Sequence, residues 1–218
     1  EFSKNRYEER LMNENLKRAR MGHLKTKYAK IYNADEANEI HRQVDTYGEL
    51  DLVAMVFNFL DILAHGRSQS DILQEIAPDE SAFRSLMRSW FSHSALFEIL
   101  KKISRLGATV VITTDHGSIL GQKASLVHGN RETSTNLRYK FGENINGDPK
   151  QTLLVRNPAD FRLPSESPSK NYIFARENYY FVYPTRFHEY ERQYQDTFQH
   201  GGISLEEMIV PSITLTPR

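Results

Sequence analysis

The run from Ala108 to Ser118, ATVVITTDHGS, constrains the fold more than any other stretch of this chain. Thr109 to Thr113 is a block of β-branched and apolar residues, the composition of a buried strand. It leads directly into Asp115, His116 and Gly117. In an α/β sheet, ligands bind beyond the carboxyl ends of the strands. An acid and an imidazole placed there, followed by a glycine that lets the chain turn sharply, suit adjacent metal ligands. The same residues also suit a plain strand-to-loop turn in which the histidine is incidental. The rest of the chain has to separate the two readings.

Composition narrows the chemistry. The chain has no cysteine, so it has neither a disulfide framework nor a thiolate metal site, and any metal falls to carboxylates and the eight histidines. Lys plus Arg balances Asp plus Glu at 28 each, which argues against a protein that coats nucleic acid non-specifically. At 218 residues the chain can bury a real core. No apolar run approaches the roughly 20 residues that span a bilayer, and the charged opening EFSKNRYEER does not read as a secretory leader. The expectation is a cytoplasmic domain with no membrane insertion.

Residues 4–31 are polar and helix-favouring, with six basic and no acidic residues between Lys17 and Lys30. That charge suits either a solvated helical connector or a surface for an anionic partner. Residues 1–48 are therefore read as a basic helical connector and the start of a domain that fills 49–218. An extended piece at Ile31 leads into a helix capped by Asn33 or Asp35. Leu50 to Leu63, LDLVAMVFNFLDIL, is too apolar for the surface and suits a buried strand or a buried helix, with Val53, Val56, Phe57 and Phe59 favouring a strand at its centre. At its end stand Asp61 and His65, four apart, which can reach one ion if a helical turn follows.

Ser68 to Arg105 reads as two helices, with Trp90 and its neighbouring phenylalanines as core. Strand, helical crossover and strand then make a βαβ unit with a parallel sheet. Between Leu120 and Pro168 the pattern breaks up; Arg131, Arg138 and Lys140 suit either phosphate contacts or solvated loop charges. Asn171 to Tyr183 reads as a β-hairpin turning at Arg176-Glu177-Asn178. His200-Gly201-Gly202 requires close backbone approach or positive φ, and Ser204 with Glu207 forms a capping box before a final apolar strand.

The ordered set Asp61-x-x-x-His65, Asp115-His116 and His200-Gly-Gly resembles the alkaline-phosphatase superfamily. Thr113 to Gly117 and His200 to Pro211 are similar to its PglZ branch, and Leu60 to Ser68 with Asn130 to Phe141 are most similar to the PglZ effector domain of PorX-type response regulators. The resemblance implies an α/β fold with a largely parallel sheet and helical crossovers. It also implies two zinc ions per intact domain, with manganese as the alternative. Asp61, His65 and His200 would serve one ion, and Asp115 and His116 the other.

The PorX resemblance further implies phosphodiesterase action on short or cyclic oligonucleotides in control of type IX secretion. Its implied partners are a sigma factor or secretion component and a second copy of the chain. A non-catalytic signalling module that docks such a partner is the alternative. The superfamily also uses an early Asp and a Thr or Ser nucleophile. Thr26 and Thr46 lie in polar surroundings, and Asp35, Asp45 and Asp51 follow no apolar strand that the pattern reveals. The expectation is a carboxyl-terminal portion, incomplete on its amino-terminal side and inactive alone, with the nucleophile upstream.

Overall fold

The computed structural model describes residues 7–67, 70–129, 136–165 and 167–217. The chain divides into two compact units. The first runs to Ile62 and adds Arg84–Val110 and the end of the chain from Thr214, and the second takes Leu63–Phe83 and Val111–Ile213.

The elements in chain order begin with helix α1 (Glu8–Arg18), strand β1 (Thr26–Ile31), helix α2 (Ala34–Gln43), strand β2 (Leu52–Phe57) and helix α3 (Phe59–Arg67). Helices α4 (Asp71–Ile76), α5 (Glu80–His93) and α6 (Ala95–Ile103) follow, then strands β3 (Val110–Thr113), β4 (Ile119–Gly121), β5 (Lys123–His128) and β6 (Tyr139–Glu143). Next come β7 (Asn146–Gly147), β8 (Thr152–Val155), β9 (Lys170–Ala175) and β10 (Tyr179–Val182). Helix α7 (Phe187–Tyr194), strand β11 (Thr197–Gln199), helix α8 (Leu205–Met208) and strand β12 (Ser212–Leu215) complete the chain. Among the described residues no helix is long and apolar enough to cross a membrane.

In the first unit, β1 and β2 pair in parallel, from Thr26 opposite Leu52 to Ile31 opposite Phe57, with α2 as the crossover. Asn33 caps α2 by accepting the Glu36 N–H at 3.0 Å, as its short acceptor side chain predicts. Val44, Tyr47 and Ile99 are buried together, and Ile40, Val53, Met55 and Phe57 pack on them. Lys102 fastens α6 there by donating to the His41 carbonyl at 2.8 Å and to Asp45 at 2.9 Å. Trp90 stacks on Phe59 with ring centroids 4.1 Å apart.

The second unit is built on Val127, Ile145, Ile173, Ala175 and Phe181. Its sheets are small. β6 and β8 flank β9, both antiparallel; β5 lies between β10 and β7, parallel to the first and antiparallel to the second; β11 pairs antiparallel with β4.

Several expectations are corrected. The protein is mixed α/β, but its sheets are mostly antiparallel, because short strands joined by tight turns need no helical crossover. β2 pairs with β1, whereas β3 pairs with β12, so residues 68–105 do not bridge a βαβ unit. That region holds three helices where two were expected. Residues 26–31 form a strand, which puts a strand ahead of Asp35. β3 is not buried throughout: Val111 is 59% exposed. β9 and β10 do turn at Arg176, with Glu177 at φ 42°, but they join different sheets and form no hairpin.

Candidate metal centre

Helix α3 presents Asp61 and His65 one turn apart, on the same side of the helix. Asp61 belongs to the first unit and His65 to the second. Arg67, buried at the end of α3, fixes this turn to the chain around it. Its guanidinium donates to the carbonyls of Ala77 and Pro78, each at 2.6 Å, and to that of Asp196. Burial lowers the Arg67 pKa from its ordinary value, with Asp196 and Asp79 opposing the shift. The Asp196 bond ties α3 to the segment that enters β11.

Register explains how residues 84 apart in sequence meet. Gln199, the last residue of β11, lies opposite Ile119, the first of β4. The loop before β4 carries Asp115 and His116, and the loop after β11 carries His200. Antiparallel pairing therefore delivers both loops to one end of the β4–β11 ribbon. The His116 and His200 rings stack there at 4.0 Å, with planes 9° apart. His65 closes the group: its Nε2 lies 3.1 Å from His200 Nε2.

Local bonds orient these rings. Thr113 Oγ1 donates to the Pro211 carbonyl at 2.8 Å, and Thr114 Oγ1 to the His116 carbonyl at 2.9 Å. His116 Nδ1 lies 3.1 Å from the Gly117 carbonyl, which can only accept, so Nδ1 carries the proton. In the neutral ring that tautomer leaves the lone pair on Nε2. Asp115 Oδ1 is 3.8 Å from His116 Nε2, and the Asp115 side chain is 86% exposed. Gly201 takes φ +99°, a conformation available to glycine without strain.

The donor set fits a borderline cation such as zinc: imidazoles with carboxylate and no sulfur. Two nitrogens bound tetrahedrally at 2.0–2.1 Å would be about 3.3 Å apart, close to the 3.1 Å between His65 and His200. The structure thus brings His65, His116 and His200 into one cluster, across the division into two ligand sets that the resemblance implied.

Two of the predicted phosphate contacts are corrected and one cannot be followed. Arg138 and Lys140 are 0% and 1% exposed, so neither meets a ligand at the surface. Arg138 is held by Glu207 at 2.8 Å, and Lys140 donates to the Asn136 carbonyl at 2.9 Å beneath the Tyr183 ring. Lys140 lies at an inward position of β6 and Arg138 is buried just before that strand, where a long stem can pack as an apolar residue does. Arg131 lies outside the described residues. Glu207 was legible only as a helix cap; its buried pairing with Arg138, 69 residues away, has no local spacing signal.

Lys140 gives a pH prediction. Burial pushes its pKa down to about 8, below the roughly 10.4 of an unfolded lysine. Between those values the unfolded chain binds more protons, so stability should rise with pH from about 8 to 10. Thermal melts of the chain and of Lys140→Met across that range check this; equal slopes would contradict it.

A model of the BREX system PglZ alkaline phosphatase-like domain matches residues 3–215. No curated protein matches the chain. The match spans the α3 turn, the Asp115-His116 loop and the His200-Gly-Gly loop alike, and the chain belongs to the PglZ alkaline phosphatase-like domain family.

Proposed function

We propose that this domain is the metal-dependent centre of a phosphodiester hydrolase, with His65, His200, His116, Asp115 and Asp61 as its metal-holding residues. The observation that carries the reading is the 3.1 Å approach of the His65 and His200 Nε2 atoms, made by segments far apart in sequence. Zinc, or manganese, bound there would supply Lewis acidity toward a phosphoryl oxygen and a nucleophile at neutral pH. The protein's part is orientation. The Gly117 carbonyl holds His116 by Nδ1, which in the neutral ring leaves Nε2 as the donor atom. Asp115 extends a carboxylate beside it. Asp61 stands one helical turn from His65, which supports it as a further oxygen donor.

The narrower reading takes short or cyclic oligonucleotides as substrate, within a cytoplasmic response regulator controlling type IX secretion. It has a sigma factor or secretion component as partner and a second copy of the chain in a homodimer. Its support is the likeness of residues 60–68 and 130–141 to PorX-type effectors.

The intact protein should release nitrophenol from bis-nitrophenyl phosphate, stop when EDTA is added, and recover with excess zinc or manganese. Hydrolysis unaffected by chelator would refute the mechanism. Zinc binding without turnover on any phosphodiester would favour a signalling module that binds and does not cleave.

A further inference from the structure

One residue joins the two loops that carry His116 and His200. The Glu207 carboxylate accepts four hydrogen bonds. Oε1 takes the Gly202 N–H at 2.8 Å and Arg138 Nε at 2.9 Å. Oε2 takes the Ser204 N–H at 3.1 Å and Arg138 Nη2 at 2.8 Å. Its side chain thus holds the segment just after His200. Its own backbone carbonyl meanwhile accepts the Gly117 N–H at 2.9 Å, just after His116.

Arg138 anchors Glu207 in turn. Beyond the carboxylate, its guanidinium donates to the carbonyls of Glu177 at 2.7 Å, Ala175 at 3.4 Å and Tyr179. Those carbonyls lie in and on either side of the turn between β9 and β10, within the second unit. The glycines show how closely the loops are drawn in. A Cβ on Gly202 would lie 2.7 Å from Glu207 Oε2 and 2.8 Å from Arg138 Nη2. A Cβ on Gly117 would lie 1.9 Å from the Glu206 carbonyl oxygen. Neither loop accepts a side chain at these points while Glu207 stays in place.

We propose that Glu207, braced by Arg138, is a positioning residue that sets His116 against His200 and so fixes the spacing of the metal-holding imidazoles. The proposal rests on the metal reading above for its consequence, while the geometry itself is made by protein groups alone. A fully bonded bidentate pair is rigid, and outer residues that orient metal ligands typically contribute about 10- to 100-fold to affinity. Helix capping alone would need only the Ser204 contact. The bond to Gly202 and the carbonyl bond to Gly117 reach toward the two histidines instead.

The test compares the full chain with Glu207→Gln and with Ile173→Ala, a core change in the same unit that touches neither loop. Zinc affinity is measured by chelator competition at a temperature where all three are folded. Histidine ring signals are recorded by NMR on the metal-free proteins. Glu207→Gln should bind zinc about 10- to 100-fold more weakly and lose the ring-current shift of the stacked His116–His200 pair. Ile173→Ala should change neither. Unchanged ring signals in Glu207→Gln would overturn the proposal, as would equal loss of affinity in Ile173→Ala. If the parent chain binds no zinc, the metal reading fails, while the ring signals still decide the positioning role. Should Glu207→Gln not fold, Gly202→Ala, which drives a methyl group into the same ion pair, is read against the same outcomes.

Discussion

Replacing His200 with alanine is expected to abolish phosphodiester turnover and to weaken zinc binding by more than the roughly 100-fold that loss of an outer-sphere partner costs. His200 is the shared member of the cluster: its Nε2 faces His65 and its ring stacks on His116. Removing it takes away a donor and the surface against which a second donor is held. The fold should change little. His200 is only partly buried, and losing its contact with His65 should cost about 1 kcal/mol. Calorimetric zinc titration and a thermal melt of the metal-free variant separate the two effects. A variant that melts normally and binds zinc as the parent does would remove His200 from the site.

The second large effect concerns stability. Arg138→Met should destabilise the protein by about 3–5 kcal/mol, because it strands the buried Glu207 carboxylate without its counter-charge. For a chain of this size that corresponds to a fall of about 10 °C in melting temperature. The effect should depend on pH. Burial favours the neutral acid of Glu207. Arg138 overrides this by hydrogen bond and charge, aided by the N–H groups of Gly202 and Ser204, and holds the carboxyl below its ordinary range.

The pair's contribution to stability is therefore complete above the unfolded carboxyl pKa of about 4.3, and is lost as pH falls through the lower folded value. In Arg138→Met burial is opposed only by the N–H groups of Gly202 and Ser204, so the penalty falls on the charged form. The gap in melting temperature between parent and variant should be wide at pH 7 and narrow toward pH 4. A gap that stays constant with pH, or amounts to less than about 1 kcal/mol, would show that the pair contributes nothing of this kind.

The parts of this architecture that sequence revealed are those governed by local rules. The Asn33 cap, the Ser204–Glu207 capping box and the φ requirement of the His200-Gly-Gly turn follow from short-range chemistry and appear in the structure. The Asp61–His65 spacing was visible because a helix repeats every 3.6 residues. Strand partners were not visible, since pairing depends on segments far apart. Nothing in Asn171–Tyr183 says that β9 and β10 leave their common turn for different sheets.

Polar residues misled for a related reason. Arg138 and Lys140 sit in a run of charged and aromatic residues, and only the fold makes them interior, Lys140 at an inward position of β6 and Arg138 just before that strand. β1 was hidden because Lys27 and Lys30 break its apolar pattern. Those lysines are satisfied by Gln43 and Glu8, which the sequence places far away.

Zinc K-edge X-ray absorption on the zinc-loaded protein tests the central claim most directly, since it reads the ligands themselves. A convergent histidine site predicts at least two imidazole nitrogens at about 2.0–2.1 Å and no sulfur, with one imidazole fewer in His200→Ala. Zinc that washes out on gel filtration, or a shell of oxygen scatterers alone, would contradict it.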